Sequence, residues 1–264
     1  VTQSLTIATP FAGYEQDYLG RWAEGLAALL RRTPAYVLWL DNSRSEEFNA
    51  MLRRTAWLLP VPVRVARDSL RAGDPRGQDP RLPRDTQVRL LWQHVRDLVE
   101  SSHLLCVESD VFPPEDAAEL LADALRRAPC LAAVSAAVNC WPAYDPGVRH
   151  VQVWRRLSDT ETKRRVGASG LAEVVVEKRK GLFTWWPEAE AGVEVVDALP
   201  FGCLFLRTET LREATLQTPR FPPGYDQTFG AEMWERGRPV AVHWGVKCRH
   251  VKPDPRGGWH DLPE

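Results

Sequence analysis

Between residues 4 and 107 the chain keeps switching between two hydrophobic periods, and that switching leaves few folds open to it. "SLTIATPF" alternates and is rich in β-branched residues, which predicts a first strand at about 4–9. From Glu15 to Arg32 the apolar residues Leu19, Trp22, Ala23, Leu26, Leu29 and Leu30 recur at helical spacing. "AYVLWLDNS" is a near-continuous apolar run closed by Asp41-Asn42-Ser43, of the kind a parallel sheet buries on both faces. "SEEFNAMLRRTAWLL" predicts a second helix with Ser45 as its N-cap. "VPVRVAR" predicts a third strand, "DTQVRLLWQHVRDLVESS" a third helix and "HLLCV" a fourth strand. Strands and helices in strict alternation predict an α/β fold: a doubly wound mixed sheet, mostly parallel, flanked by helices. Such sheets bind ligands beyond the carboxyl ends of their strands. Thr9-Pro10-Phe11, Asp41-Asn42-Ser43 and Glu108-Ser109-Asp110 are the strand ends so placed.

The pattern continues with a helix, "PEDAAELLADALRRA", whose acidic first turn and basic last turn suit the helix dipole, and a buried strand, "CLAAVSAAVNCW". Residues 142–190 break it with turns, two basic clusters and Trp154, Trp185 and Trp186. "VEVVDALPFGCLFLRTETL" restores strand character and opens a helix at Arg207-Thr208-Glu209-Thr210. "YDQTFGAEMWERG" predicts a helix ending at Gly237, and "PVAVHWGVKCRHV" a last strand. The stretches 68–84 and 252–264, dense in Pro and Gly, are expected to be a loop and an irregular tail.

No apolar stretch approaches the ~20 residues of a membrane helix. A net charge of −1 removes any global basic field. The five cysteines, at 106, 130, 140, 203 and 248, show no C-x-x-C spacing, so free thiols in a reducing compartment are expected. "VTQSLTIATP" has neither the basic region nor the apolar core of a secretory leader. The expected setting is cytoplasmic.

Glu108 and Asp110 carry the strongest chemical signal. On an extended strand, residues i and i+2 share a face. Two carboxylates so placed repel each other unless a cation lies between them, and a hard divalent ion, Mg²⁺ or Mn²⁺, is the natural one. The alternative is a pair that solvates a strand end and caps the next helix. His250, in "KCRHV", is a candidate metal ligand or a packed histidine. Asp226 is either a general base or a first-turn helix cap. Asp41 either contacts a base or ribose or forms an Asx turn.

In this order the segments "TIATPF", "LWLDNS", "VESDVFPP", "GCLFLRTETL", "YDQTF…ERG" and "CRHV" resemble those of nucleotide-sugar glycosyltransferases of the GT-A fold, inverting and family-2-like, over roughly residues 4–251. The resemblance implies a UDP-sugar donor at Thr9, Pro10, Asp41, Asn42 and Ser109, and a metal at Asp110, Glu108 and His250. It implies Asp226 as the catalytic base. It also implies one domain over 1–264: a nucleotide-sugar half, 1–112, and an acceptor half, 113–251, with a variable insert at 142–200. The family's usual metal motif is Asp-x-Asp; here the first acid is Glu108, which makes Asp110 the safer ligand.

The insert holds Lys163, Arg164, Arg165, Lys178, Arg179 and Lys180, with Trp185 and Trp186 beside the second cluster. Basic groups interleaved with aromatics suit a polyanion with stackable bases, such as DNA carrying a hydroxymethylated base. Tryptophan pairs also suit a saccharide acceptor, and solvated charges on a hairpin are the plain alternative. Two other functions share this scaffold. One is a non-catalytic nucleotide or nucleic-acid binding module, which Glu108 favours. The other is a nucleotidyltransferase, against which stands the lack of a glycine-rich, lysine-bearing turn after the first strand.

Overall fold

A computed structural model describes residues 4–43, 45–67, 84–140, 150–154, 183–185, 192–216, 225–253 and 259–261. The basic clusters, Trp186 and residues 68–83 of the loop expected at 68–84 lie outside the described residues, and Arg84 is the first residue of a helix.

The first half alternates as its hydrophobic periods require. β1 (Leu5–Phe11), α1 (Leu19–Arg32), β2 (Tyr36–Asp41), α2 (Glu46–Ala56), β3 (Val63–Arg67), α3 (Arg84–Leu98) and β4 (His103–Val107) succeed one another along the chain. β2 pairs parallel with both β1 and β3, and β1 pairs parallel with β4. Both faces of this sheet are covered. Ile7 and Phe11 of β1 and Leu105 and Val107 of β4 pack with Trp22, Leu26 and Leu30 of α1. Ala8, Leu104 and Cys106 face Leu91, Trp92 and Val95 of α3. A strand buried on both faces cannot alternate polar with apolar, which is why "HLLCV" reads as one run. Ser45 caps α2 as expected, its hydroxyl accepting from the Phe48 N–H at 3.0 Å.

Six strands and one helix follow: β5 (Val111–Phe112), then α4 (Ala117–Arg127), β6 (Ala133–Cys140), β7 (His150–Trp154), β8 (Phe183–Trp185), β9 (Val193–Val196) and β10 (Cys203–Arg207). α5 (Thr208–Glu213), α6 (Tyr225–Glu235), β11 (Val240–Pro253) and β12 (Trp259–Asp261) close the chain. The sheet order is β12-β11-β6-β10-β4-β1-β2-β3. β10 runs antiparallel between β4 and β6, and β11 is parallel to β6, so the sheet is mixed as expected.

Four expectations are corrected. β1 continues to Phe11, so Thr9 and Pro10 lie inside the strand. The helix expected from Glu15 begins at Leu19; a 3-10 turn at Tyr14–Asp17 precedes it, because the Glu15 carboxylate folds back onto the backbone of residues 12 and 13. His250 does not close the last strand: β11 runs on to Pro253. The tail is not wholly irregular either, since β12 pairs antiparallel with β11. The register of β11 against β6 shifts between His243 and Lys247. Such an irregularity bends a strand and re-aims the residues beyond it. The residues before it pair with β9 and β6, and Arg249 and His250 pair with β5.

Candidate active site

The carboxylate pair does not lie on one strand face. β4 ends at Val107, and residues 108–110 form a turn closed by the Val111 N–H donating to the Glu108 carbonyl at 3.0 Å. The i, i+2 rule for extended chain therefore does not govern them, and the two acids turn to different partners. Asp110 Oδ2 stands 3.2 Å from His250 Nε2, and both side chains are almost wholly buried. Glu108 Oε1 accepts from the Tyr225 hydroxyl at 2.9 Å.

The turn is held from several sides. The Glu108 N–H donates to the Gly202 carbonyl at 3.0 Å, and the Val251 N–H to the Asp110 carbonyl at 2.8 Å. The Trp22 indole N–H donates to the Val111 carbonyl at 2.9 Å. Trp22 itself sits edge-on to Phe11, with ring centroids 5.2 Å apart, so the first helix anchors the turn through the end of β1. Groups fixed in this way need no reorganisation when charge arrives.

Glu15 joins the lining of the site, which the sequence reading missed. It is fully buried. Its carboxylate accepts from the Gly13 N–H at 2.7 Å, the Ala12 N–H at 3.0 Å and the Ser109 hydroxyl at 2.7 Å. Burial nevertheless pushes its pKa above the ordinary 4.5, against those hydrogen bonds. Glu15 so ties the loop after β1 to the acidic turn. Gly13 makes the loop possible: its φ is +99°, and a Cβ there would lie 3.0 Å from that of Ser43. An acid two residues beyond a glycine at a strand end was the available signal.

Asp41 is fully buried, and both its oxygens are engaged. Oδ1 accepts from the Ser43 N–H at 2.8 Å and the Ser43 hydroxyl at 2.6 Å; Oδ2 accepts from the Asn49 amide at 2.6 Å and stands 3.7 Å from Arg67 Nε. Asn42 is different. Its Oδ1 is buried with no hydrogen-bond partner among the described residues, and its side chain lines a cleft with Pro10, Glu15, Glu108, Ser109 and Asp110. The cleft measures about 110 Å³. Small-molecule pockets typically enclose ~300 Å³ or more, so the described walls hold only part of a nucleotide-sized ligand. Thr9 is fully buried in β1.

Asp226 lies in the first turn of α6 and is buried. Its neighbour Tyr225 has a phenol pushed well above its ordinary value, by burial first and then by Glu108 and Asp226. One helical turn beyond Asp226, Gly230 seats α6 on the chain before β10: a Cβ there would come 2.3 Å from the Asp197 carbonyl oxygen. We expect Gly230→Ala to shift α6 or to lower stability by about 1–3 kcal/mol, the usual cost of overpacking. Urea denaturation would show it; an unchanged midpoint would mean that α6 is not seated there.

No family model matches the chain, and no curated protein matches it in sequence. Solved structures do match in fold. GalNAc-T7 with UDP, GalNAc and Mn²⁺ superposes with a TM-score of 0.59 at 13% identity, over 94% of this chain and 44% of that one. A mannosyltransferase from Pyrobaculum calidifontis in complex with GDP-Man and Mn²⁺ gives 0.55 at 13%, over 94% and 56%. The chain has the GT-A fold. A mycobacterial protein gives 0.51 at 15%, over 97% of this chain and 69% of that one. The chain thus spans about half the length of the first two GT-A structures. In the GT-A frame the cleft lies at the carboxyl ends of β1, β2 and β4, where open α/β sheets bind ligands. Among the described residues no helix is long and apolar enough to cross a membrane.

Proposed function

We propose that the chain is a metal-dependent glycosyltransferase that moves a sugar from a nucleotide-sugar, a UDP-sugar in this reading, to an acceptor hydroxyl. The observation that carries the proposal is the meeting of Asp110 and His250 at 3.2 Å on a firmly held turn beside the cleft. GT-A structures with Mn²⁺ and nucleotide or nucleotide-sugar support it by their fold.

Asp110 supplies a carboxylate, the ligand type that suits Mn²⁺ or Mg²⁺, and His250 an imidazole beside it. Among the described residues no group of three or more His, Cys, Asp or Glu side chains stands ready for a metal. That also fits a metal of this kind, which uses one or two protein ligands and takes the rest of its shell from phosphate and water. Asp110 and His250 would hold it, with Glu108 a second-rank candidate. When bound, the ion would neutralise charge developing on the leaving diphosphate. Asn42, whose carbonyl has no hydrogen-bond partner among the described residues, Pro10 and Ser109 would line the donor; Asp41 and Thr9 would shape the strand ends that carry them. Asp226 would take the acceptor's proton as its oxygen attacks the anomeric carbon and the bond to the diphosphate breaks. One base and one metal suffice for single displacement with inversion. The halves 1–112 and 113–251 would divide donor and acceptor binding, in a cytoplasmic setting that the buried free thiols Cys106, Cys203 and Cys248 suit.

Calorimetric titration with UDP tests the core of this reading. Affinity should be high with Mn²⁺ and low with chelator; equal affinities would remove the metal.

For the acceptor, the sequence leaves open a hydroxymethylated base in DNA or a saccharide, against solvated charges on a hairpin; the test is made on DNA. Serine at Lys163, Arg164, Arg165, Lys178, Arg179 and Lys180 should weaken DNA binding and flatten its salt dependence while UDP binding persists. A salt slope equal to that of the wild type would exclude the clusters from the acceptor site.

A further inference from the structure

We propose that Tyr225 is a positioning residue: its hydroxyl ties the helix that carries Asp226 to the acidic turn through Glu108. The inference rests on the glycosyltransferase reading for the role of Asp226, and it explains why residue 108 is glutamate.

The two partners are 117 residues apart in sequence and meet at 2.9 Å. Each is fixed independently of the bond between them. The backbone of Glu108 is pinned to Gly202 and to Val111. The ring of Tyr225 lies edge-on to Phe201, centroids 5.3 Å apart, and Phe201 packs in turn on Phe229 of the same helix and on Trp92. Phe201 and Gly202 are consecutive, so one dipeptide supports both ends of the tether. Gly230 seats the same helix on residues 197 and 198.

Between two such supports the length of the side chain decides. An aspartate is shorter by one carbon–carbon bond, about 1.5 Å. From the same backbone its carboxylate would stop short of the phenol. A glutamate reaches it, at the cost of directing that oxygen to Tyr225. Asp226 is the next residue after Tyr225, so the tether sets where its carboxylate stands relative to the acidic turn. A reacting group displaced by 1 Å costs about 10²-fold in rate. That makes a single hydroxyl in this place matter to turnover more than to binding.

The test uses Tyr225→Phe and Glu108→Asp in the full chain. Mn²⁺-UDP affinity is measured by calorimetry, and hydrolysis of UDP-glucose, UDP-N-acetylglucosamine and GDP-mannose reports turnover with water as acceptor. Tyr225→Phe should keep Mn²⁺-UDP affinity within about twofold of wild type, and Glu108→Asp should not raise it. Their kcat should fall about tenfold or more while KM holds. The metal-free protein gives a reading independent of turnover. In a double-mutant cycle of unfolding free energy, Tyr225→Phe and Glu108→Ala, each of which removes one partner of the hydrogen bond, should be non-additive. A Tyr225→Phe variant with wild-type kcat would overturn the proposal, as would additive unfolding energies. So would a Glu108→Asp variant that binds Mn²⁺-UDP more tightly and turns over faster, since residue 108 would then be a metal ligand. If Tyr225→Phe does not fold, Glu108→Asp, which leaves the aromatic cluster intact, decides alone. A wild type that binds Mn²⁺-UDP and hydrolyses none of the donors would sink the glycosyltransferase reading instead, and the unfolding cycle would still judge the tether.

Discussion

Replacing Asp226 by asparagine should lower sugar transfer by about 10² or more, the scale of general-base catalysis. Donor affinity should stay within a few-fold of wild type. Asparagine keeps the size of the side chain and caps a helix about as well as aspartate does, so the first turn of α6 should survive the change. It lacks the basicity to accept the acceptor's proton. A chemical-quench measurement of the transfer rate, beside calorimetry with UDP, separates the two effects. A fully active variant would reduce Asp226 to a helix cap and send the search for the base to Glu232 or to acids of the 142–200 region.

Asp110→Ala should act on the other side of the reaction. It removes the carboxylate that meets His250 and leaves the backbone hydrogen bond from Val251 in place. Mn²⁺ affinity and UDP affinity should fall together, by about 10² or more, since even the partners of metal ligands are worth 10–100-fold. The fold should persist, because the turn is also held through Gly202, Trp22 and Glu15. Metal affinity measured by manganese paramagnetic resonance would check this. A variant that binds Mn²⁺ as tightly as wild type would move the metal elsewhere.

The contrast between these two acids shows where sequence reasoning reaches. Periodicity exposes whatever depends on neighbours in the chain. The strand of apolar residues ending at Val107, the Ser45 cap and the acidic first turn of α4 were all legible in this way. Their placement at strand ends then pointed to the cleft. The features that escaped depend on contacts across the fold. His250 meets Asp110 on a stretch of β11 that lies beyond a register shift after His243, which no pattern around "VHWGVKC" announces. The same-face argument for Glu108 and Asp110 failed because the strand stops one residue before the pair. Glu15 looked like the first acid of a helix, yet its carboxylate is buried beneath the loop that it organises. Tyr225 carries no local signal at all; its importance lies wholly in the distant acid it meets.

Release of nucleoside diphosphate from a nucleotide-sugar tests the central claim most directly. The wild type, incubated with a panel of UDP- and GDP-sugars and monitored by mass spectrometry, should free the diphosphate slowly with water and faster with a suitable acceptor. Release should require Mn²⁺ or Mg²⁺, stop with chelator and be lost in Asp110→Ala. Binding of the same donors without any release would contradict the account and leave a nucleotide-binding module. Release of pyrophosphate from nucleoside triphosphates would contradict it in favour of a nucleotidyltransferase.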